Sequence, residues 1–139
     1  MKDNMKSGCN MDCGPKPFVT DIRTEAMRNC NYRTAVWTGG LLQMTLMSIP
    51  VGTDVGLEVH PDTDQCLYIE GGMGMAVMGE AKEDLRLRCP VCVNSCVFVP
   101  AGTWHNVIKR GFLKSPVGLK TAISSGFSAV TFHSLHRTS

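Results

Sequence analysis

The feature that most constrains the fold of this chain is a series of short, β-prone segments separated by turn-forming residues. Ten such segments follow residue 33, at roughly regular intervals marked by Gly, Pro, Asn and Asp. Segments of this length and spacing are typical of an all-β sandwich or barrel. They read TAVWT, LLQMTLMSI, GLEVH, CLYIE, GMAVM, LRLR, CVFVP, WHNVI, GLKTAI and FSAVTF. One short helix is expected before them in DIRTEAMRN, with Thr20 as its N-cap.

The length of the chain, 139 residues, is enough for one domain with a substantial core. Residues 1–17 are polar and rich in Gly and Cys, so we predict a flexible tail there and a barrel domain over residues 18–139. No apolar run reaches the length of a signal-peptide core or a membrane span. These features predict a cytoplasmic protein.

The charge pattern bears on the partners of the chain. The formal net charge is +2 at pH 7, and the Lys and Arg residues are scattered through the turns. Proteins that bind nucleic acid or membranes usually carry a basic patch or stripe. We therefore expect no nucleic-acid partner, no membrane partner, and a small-molecule ligand.

Four residues from separate segments have the chemistry of a metal site. Glu58 and His60 are two apart in an alternating stretch, so on a strand both side chains would leave the same face. Gln65 begins the next β-prone segment after a PDTD turn, and His105 follows the tight turn at residues 100–102. Two imidazoles, one carboxylate and one neutral oxygen suit a divalent Zn, Fe, Mn or Ni ion.

The first of these stretches resembles the first motif of the cupin family, which reads Gly, five residues, His-x-His, three or four residues, Glu, six residues, Gly. Gly52 opens the motif here and Gly72 closes it. Glu58 stands at the first His position, His60 at the second, and Gln65 at the Glu position. The two substitutions compensate, because the ligand set keeps one formal negative charge.

The second cupin motif reads Gly, five residues, Pro-x-Gly, two residues, His, three residues, Asn. Pro100, Gly102 and His105 match it, whereas Asn94 replaces the Gly and Lys109 replaces the final Asn. The resemblance is to small single-domain bacterial cupins of the conserved-barrel type, some of which are labelled mannose-6-phosphate isomerase-like. It covers roughly residues 18–109.

The resemblance implies a double-stranded β-helix, or jelly-roll, barrel that binds one divalent transition metal ion. It also implies a homodimer, for which the TAVWT and LLQMTLMSI segments are the expected contact. Two functions stay open: a metalloenzyme acting on a small polar metabolite or sugar, isomerase-like or oxygenase-like, and a non-catalytic module that binds the same kind of ligand. No catalytic residue is assigned, and Tyr68 and Lys109 are the candidates for substrate binding.

Several polar residues near the motifs have alternative interpretations. Gln65 would either ligate the ion or hydrogen-bond a metal-bound water. Asp64 is the alternative ligand if three residues, and not four, follow His60 in the motif. The six residues between Gln65 and Gly72 favour Gln65 and leave Asp64 as a turn residue. His133 and His136 lie outside both motifs, and we expect them to be solvated tail residues.

The seven cysteines include one cluster, Cys89-Pro-Val-Cys92 followed by Cys96. A zinc ion there would need further ligands, and Cys9 and Cys13 of the tail are the candidates. The second half of a zinc-binding pattern at normal spacing is missing. We predict that the cluster is an apolar turn with reduced, unliganded thiols.

Overall fold

The computed structural model of the chain describes residues 11–50, 53–109 and 127–135. These residues form one short helix and eight strands, so the predicted all-β architecture with one helix is confirmed. The elements are α1 Ile22–Arg28, β1 Arg33–Thr38, β2 Leu42–Ile49, β3 Gln65–Gly71, β4 Met73–Gly79, β5 Leu87–Cys92, β6 Cys96–Val99, β7 Trp104–Lys109 and β8 Phe127–Ser134. Of the predicted segments, GLKTAI lies outside the described residues.

The strands form two antiparallel sheets. One has the order β1-β2-β8-β3-β6 and the other has the order β5-β4-β7. Because successive side chains of a strand point to opposite faces, each sheet presents one apolar face to the interior. The interior core is built from Met47, Ile49, Val55, Leu67, Ile69, Ala76, Val91, Val97, Val99, Val107 and Ala129.

A second apolar cluster lies on the outer face of the five-stranded sheet. Its buried members are Val36, Met44, Leu46 and Val130, and α1 covers them with Ile22 and Ala26. The helix begins after Asp21, whose side chain accepts a hydrogen bond from the Thr24 backbone N–H at 2.8 Å. Asp21 is therefore the N-cap, and the assignment of Thr20 was wrong by one residue. Thr20 instead donates to Glu25 at 2.7 Å.

Two segments differ from their predicted structure. GLEVH is not a strand, because only Glu58 within it forms an isolated antiparallel bridge, to His105 on β7. The Cys89-Pro-Val-Cys92 segment is not a turn but the end of β5. Proline is tolerated in β5 because this strand lies at the edge of its sheet.

Residues 11–17, which the sequence assigned to the tail, lie against β1. The backbone N–H of Cys13 donates to Val36 O at 2.7 Å, and the indole of Trp37 donates to Lys16 O at 2.8 Å. The flexible tail and the boundary at residue 17 stay predictions. Among the described residues, no helix has the length and hydropathy needed to cross a bilayer.

Candidate metal centre

Glu58, His60 and His105 meet at one end of the barrel. One ligand atom from each lies within 4.8 Å of the others. Two reciprocal backbone hydrogen bonds bring them together, since the N–H groups of Glu58 and His105 each donate to the other residue's carbonyl at 2.9 Å. Within the described ranges, this is the one group of three or more His, Cys, Asp or Glu side chains gathered closely enough to hold an ion.

His105 is the most buried member of the group, with 3% of its surface exposed. Its Nδ1 lies 3.0 Å from the Thr103 carbonyl oxygen. A carbonyl only accepts hydrogen bonds, so Nδ1 carries the proton and Nε2 keeps its lone pair for an ion. Burial lowers the pKa of His105, and the neighbouring His60 lowers it further. The ring is therefore held in the neutral form that binds metals.

The Glu58 carboxylate lies between an arginine and a histidine. Arg33 Nη2, at the start of β1, is 3.1 Å from Glu58 Oε1, and His60 Nε2 is 3.4 Å from Oε2. The second contact does not have hydrogen-bond geometry, and His60 Nε2 is buried with no hydrogen-bond partner among the described residues. Sequence reasoning missed Arg33, because no motif or spacing links the first residue of β1 to position 58.

Gln65, the first residue of β3, is also buried, with 5% of its surface exposed. Its amide nitrogen lies 3.2 Å from His133 Nε2, and its Oε1 is buried with no hydrogen-bond partner in the part of the chain that the structure describes. The amide group thus has a nitrogen that contacts an imidazole and an oxygen that is free to accept from a donor or to ligate an ion.

His133 is not a solvated tail residue, and that prediction was wrong. It lies on β8 directly opposite Gln65, with its ring centroid 5.3 Å from that of His60. Burial lowers its pKa, and His60, Arg33 and His105 also contribute. The alternation of side chains along β8 could have predicted this position. Residues two apart on a strand share a face, so His133 lies on the same face as buried Thr131 and Ala129. His136 lies outside the described residues.

The donor atoms at this end of the barrel fit a divalent transition ion. Three buried side-chain N or O atoms lack a hydrogen-bond partner in the described part of the chain, and two of them, His60 Nε2 and Gln65 Oε1, belong here. Burying such atoms unpaired costs about 1–3 kcal/mol each. Ligation would satisfy both, and imidazole nitrogen with carboxylate and amide oxygen suits borderline cations.

The chain resembles several known proteins in sequence and structure. It is 51% identical over 100 residues to the uncharacterized protein YrkC of Bacillus subtilis, a match that covers 72% of this chain and 54% of YrkC. The chain thus spans about half the length of the curated relatives it matches. The crystal structure of BH2720 from Bacillus halodurans has a TM-score of 0.79 and 38% identity, and the match covers 93% of this chain and 89% of BH2720.

A cupin of the RmlC-like type from Shewanella frigidimarina shows what fold this is. Its structure has a TM-score of 0.55 and 14% identity, over 76% of this chain and 77% of that one. This chain has the cupin fold. No protein-family model matches the chain. The predicted jelly-roll barrel of a cupin is therefore confirmed.

Asp64 and Tyr68 have hydrogen-bond partners outside the candidate metal centre. Asp64 lies immediately before β3, and its Oδ1 accepts from the Ala101 backbone N–H at 2.9 Å. Tyr68 packs against the outer cluster, and its hydroxyl donates to Asn94 Oδ1 at 2.6 Å, so the structure does not bring it to the site. Lys109 ends β7, and its side chain lies outside the described residues, as does Gly52.

The three clustered thiols do not converge. Cys89 and Cys92 are exposed and donate to the nearby carbonyls of Pro90 and Val93. The Sγ atom of Cys96 instead lies 3.0 Å from that of Cys66. Reduced, unliganded thiols at Cys89, Cys92 and Cys96 stay a prediction, and Cys9 lies outside the described residues.

The lowered pKa values of His105 and His133 predict how stability depends on pH in the metal-free protein. Both lie below the ordinary value of 6.5, so the unfolded chain binds more protons than the folded one as the pH falls past it. The free energy of unfolding should therefore decrease below about pH 6.5. Urea unfolding at a series of pH values, with a chelator present, measures this free energy. The double variant His105→Gln, His133→Gln should show a shallower dependence, and an unchanged slope would contradict the assignment.

Proposed function

We propose that this cupin binds one divalent transition metal ion, Zn, Fe, Mn or Ni, through Glu58, His60 and His105, with Gln65 completing the ligand set. The observation that carries the proposal is the convergence of three ligand atoms within 4.8 Å beside buried polar atoms that lack partners. When bound, such an ion would act as a Lewis acid and offer further positions to water or to substrate oxygens.

The residues around these ligands would orient them. The Thr103 carbonyl fixes the tautomer of His105, which leaves Nε2 available. Arg33 binds one oxygen of Glu58 and leaves the other on the side of His60. The two contacts hold the imidazole and the carboxylate in place before any ion arrives, which lowers the entropic cost of ligation.

We further propose that the protein is a metalloenzyme acting on a small polar metabolite or sugar. The supporting observation is His133, an imidazole that adjoins the ligands and is not needed as one of them. An imidazole next to a Lewis-acid site is the usual group for holding or moving a proton near neutral pH. The reaction is unassigned, and the mannose-6-phosphate isomerase-like label stays a prediction.

The metal proposal predicts about one equivalent of a divalent transition ion per chain after purification without added metal. The double variant His60→Ala, His105→Ala should lose it, because two of the ligands are removed. At a hundredfold excess over its dissociation constant the ion would stabilise the fold by about 2.7 kcal/mol, so chelation should lower the Tm of the wild type alone. Elemental analysis and thermal unfolding are the measurements, and exposed Glu80→Gln is the control. Unchanged metal content in the double variant would overturn the proposal.

The contact between Gln65 and His133 leads to a second prediction. If His133 Nε2 accepts from the Gln65 amide nitrogen, the amide oxygen is turned toward the ligands. His133→Phe should then weaken metal affinity roughly 10- to 100-fold, as loss of such supporting contacts commonly does. In a Gln65→Glu background the same change should have little effect, because either carboxylate oxygen can ligate.

Competition with a chromophoric chelator measures the four affinities of this cycle. If His133→Phe weakens metal affinity equally in the wild type and in Gln65→Glu, His133 does not act through Gln65. If the wild-type protein binds no metal ion, the proposal for the whole site is wrong.

We also propose a homodimer in the cytoplasm. Exposed apolar side chains on the three-stranded sheet, Met73, Leu87 and Ile108, support pairing of subunits. The outer faces of β1 and β2, the contact expected from sequence, already pack against α1. The free thiols of the described residues suit a reducing compartment.

The dimer has a direct test. Light scattering at micromolar concentration should give twice the chain mass of 15.1 kDa. A mass equal to that of one chain would remove the proposal.

A further inference from the structure

Cys66 and Cys96 form a close pair of thiols on the outer face of the five-stranded sheet. Their Sγ atoms are 3.0 Å apart, although the residues are thirty positions apart in sequence. In the register of β3 and β6, Cys96 is opposite Tyr68 and Cys66 is opposite Phe98, so the two cysteines are diagonal neighbours. Side chains in this relation lie on the same face and are within reach of each other.

We propose that Cys66 and Cys96 are a site of reversible oxidation, where a small disulfide compound converts the two thiols into an intramolecular disulfide. A disulfide bond is about 2.05 Å long, so the sulfurs need to approach by about an ångström. Cys96 is exposed and Cys66 is half-buried. A small oxidant therefore reaches Cys96 first, and Cys66 is placed to react second.

The chemistry is a two-step thiol–disulfide exchange. The Cys96 thiolate attacks one sulfur of the small disulfide, which forms a mixed disulfide and releases the first small thiol. The Cys66 thiolate then attacks Cys96 Sγ, which forms the Cys66–Cys96 bond and releases the second small thiol. Two protein thiols lose two electrons and two protons, and the small disulfide gains both.

The position of the pair gives oxidation a structural consequence. β6 is the edge strand of its sheet, and four residue pairs with β3 hold it there. It leads directly into the turn at residues 100–102, which precedes His105 on β7. Cys66 follows Gln65 at the start of β3. A disulfide between Cys66 and Cys96 would therefore tie together two of the strands that lead to the candidate metal centre, whether or not the centre binds an ion.

The experiment uses the full chain with oxidised glutathione as the probe. Thiol counting should show that two thiols are lost per chain, and peptide mapping should find one cross-link, between Cys66 and Cys96. Oxidation should raise the Tm by several degrees, because the bond closes a long loop. Dithiothreitol should reverse both changes.

Matched variants make the test specific. Cys66→Ser should abolish the cross-link and leave glutathione attached to Cys96, whereas Cys89→Ser and Cys92→Ser should leave the cross-link intact. The proposal is overturned if wild-type Cys96 keeps its glutathione without forming the cross-link. It is also overturned if the bond joins another pair, or if Cys66 and Cys96 stay free while Cys89 and Cys92 react.

Discussion

The candidate site depends on the pair of backbone hydrogen bonds between Glu58 and His105. Residues 55–60 form no regular strand, so their position depends on a few contacts. The isolated bridge to β7 is one of them, and the Gly102 N–H, which donates to His60 O at 2.8 Å, is another. Because these bonds join the two motif segments directly, they set the distance between the ligand atoms. The barrel behind them supplies the rigid support.

The interior of the barrel explains why the site can be polar and still be stable. The apolar side chains of both sheets fill the space below it, while the candidate ligands occupy the end of the barrel where β3 and β7 begin. The polar atoms there are desolvated without full compensation from the described residues. Such local costs are typical of functional sites, where the ligand and not the fold supplies the missing partner.

Much of this arrangement could be predicted from sequence because it depends on local patterns. The alternating segments gave the strands, and motif spacing brought Glu58, His60 and His105 to one place. What was missed depends on tertiary pairing. His133 is next to Gln65 only because β8 lies between β2 and β3, and Pro90 lies in a strand only because β5 is at an edge. The side-chain contact of Arg33 with Glu58 has no counterpart in any spacing rule.

X-ray absorption at the edge of the bound metal identifies the atoms that surround the ion, and so distinguishes the motif residues from cysteines as its ligands. We expect nitrogen and oxygen ligands at about 2.0–2.2 Å, with the multiple-scattering pattern of two imidazoles and no sulfur. His60→Ala should reduce that pattern to one imidazole. Sulfur at about 2.3 Å would show instead that the ion is held by cysteines and not by Glu58, His60 and His105.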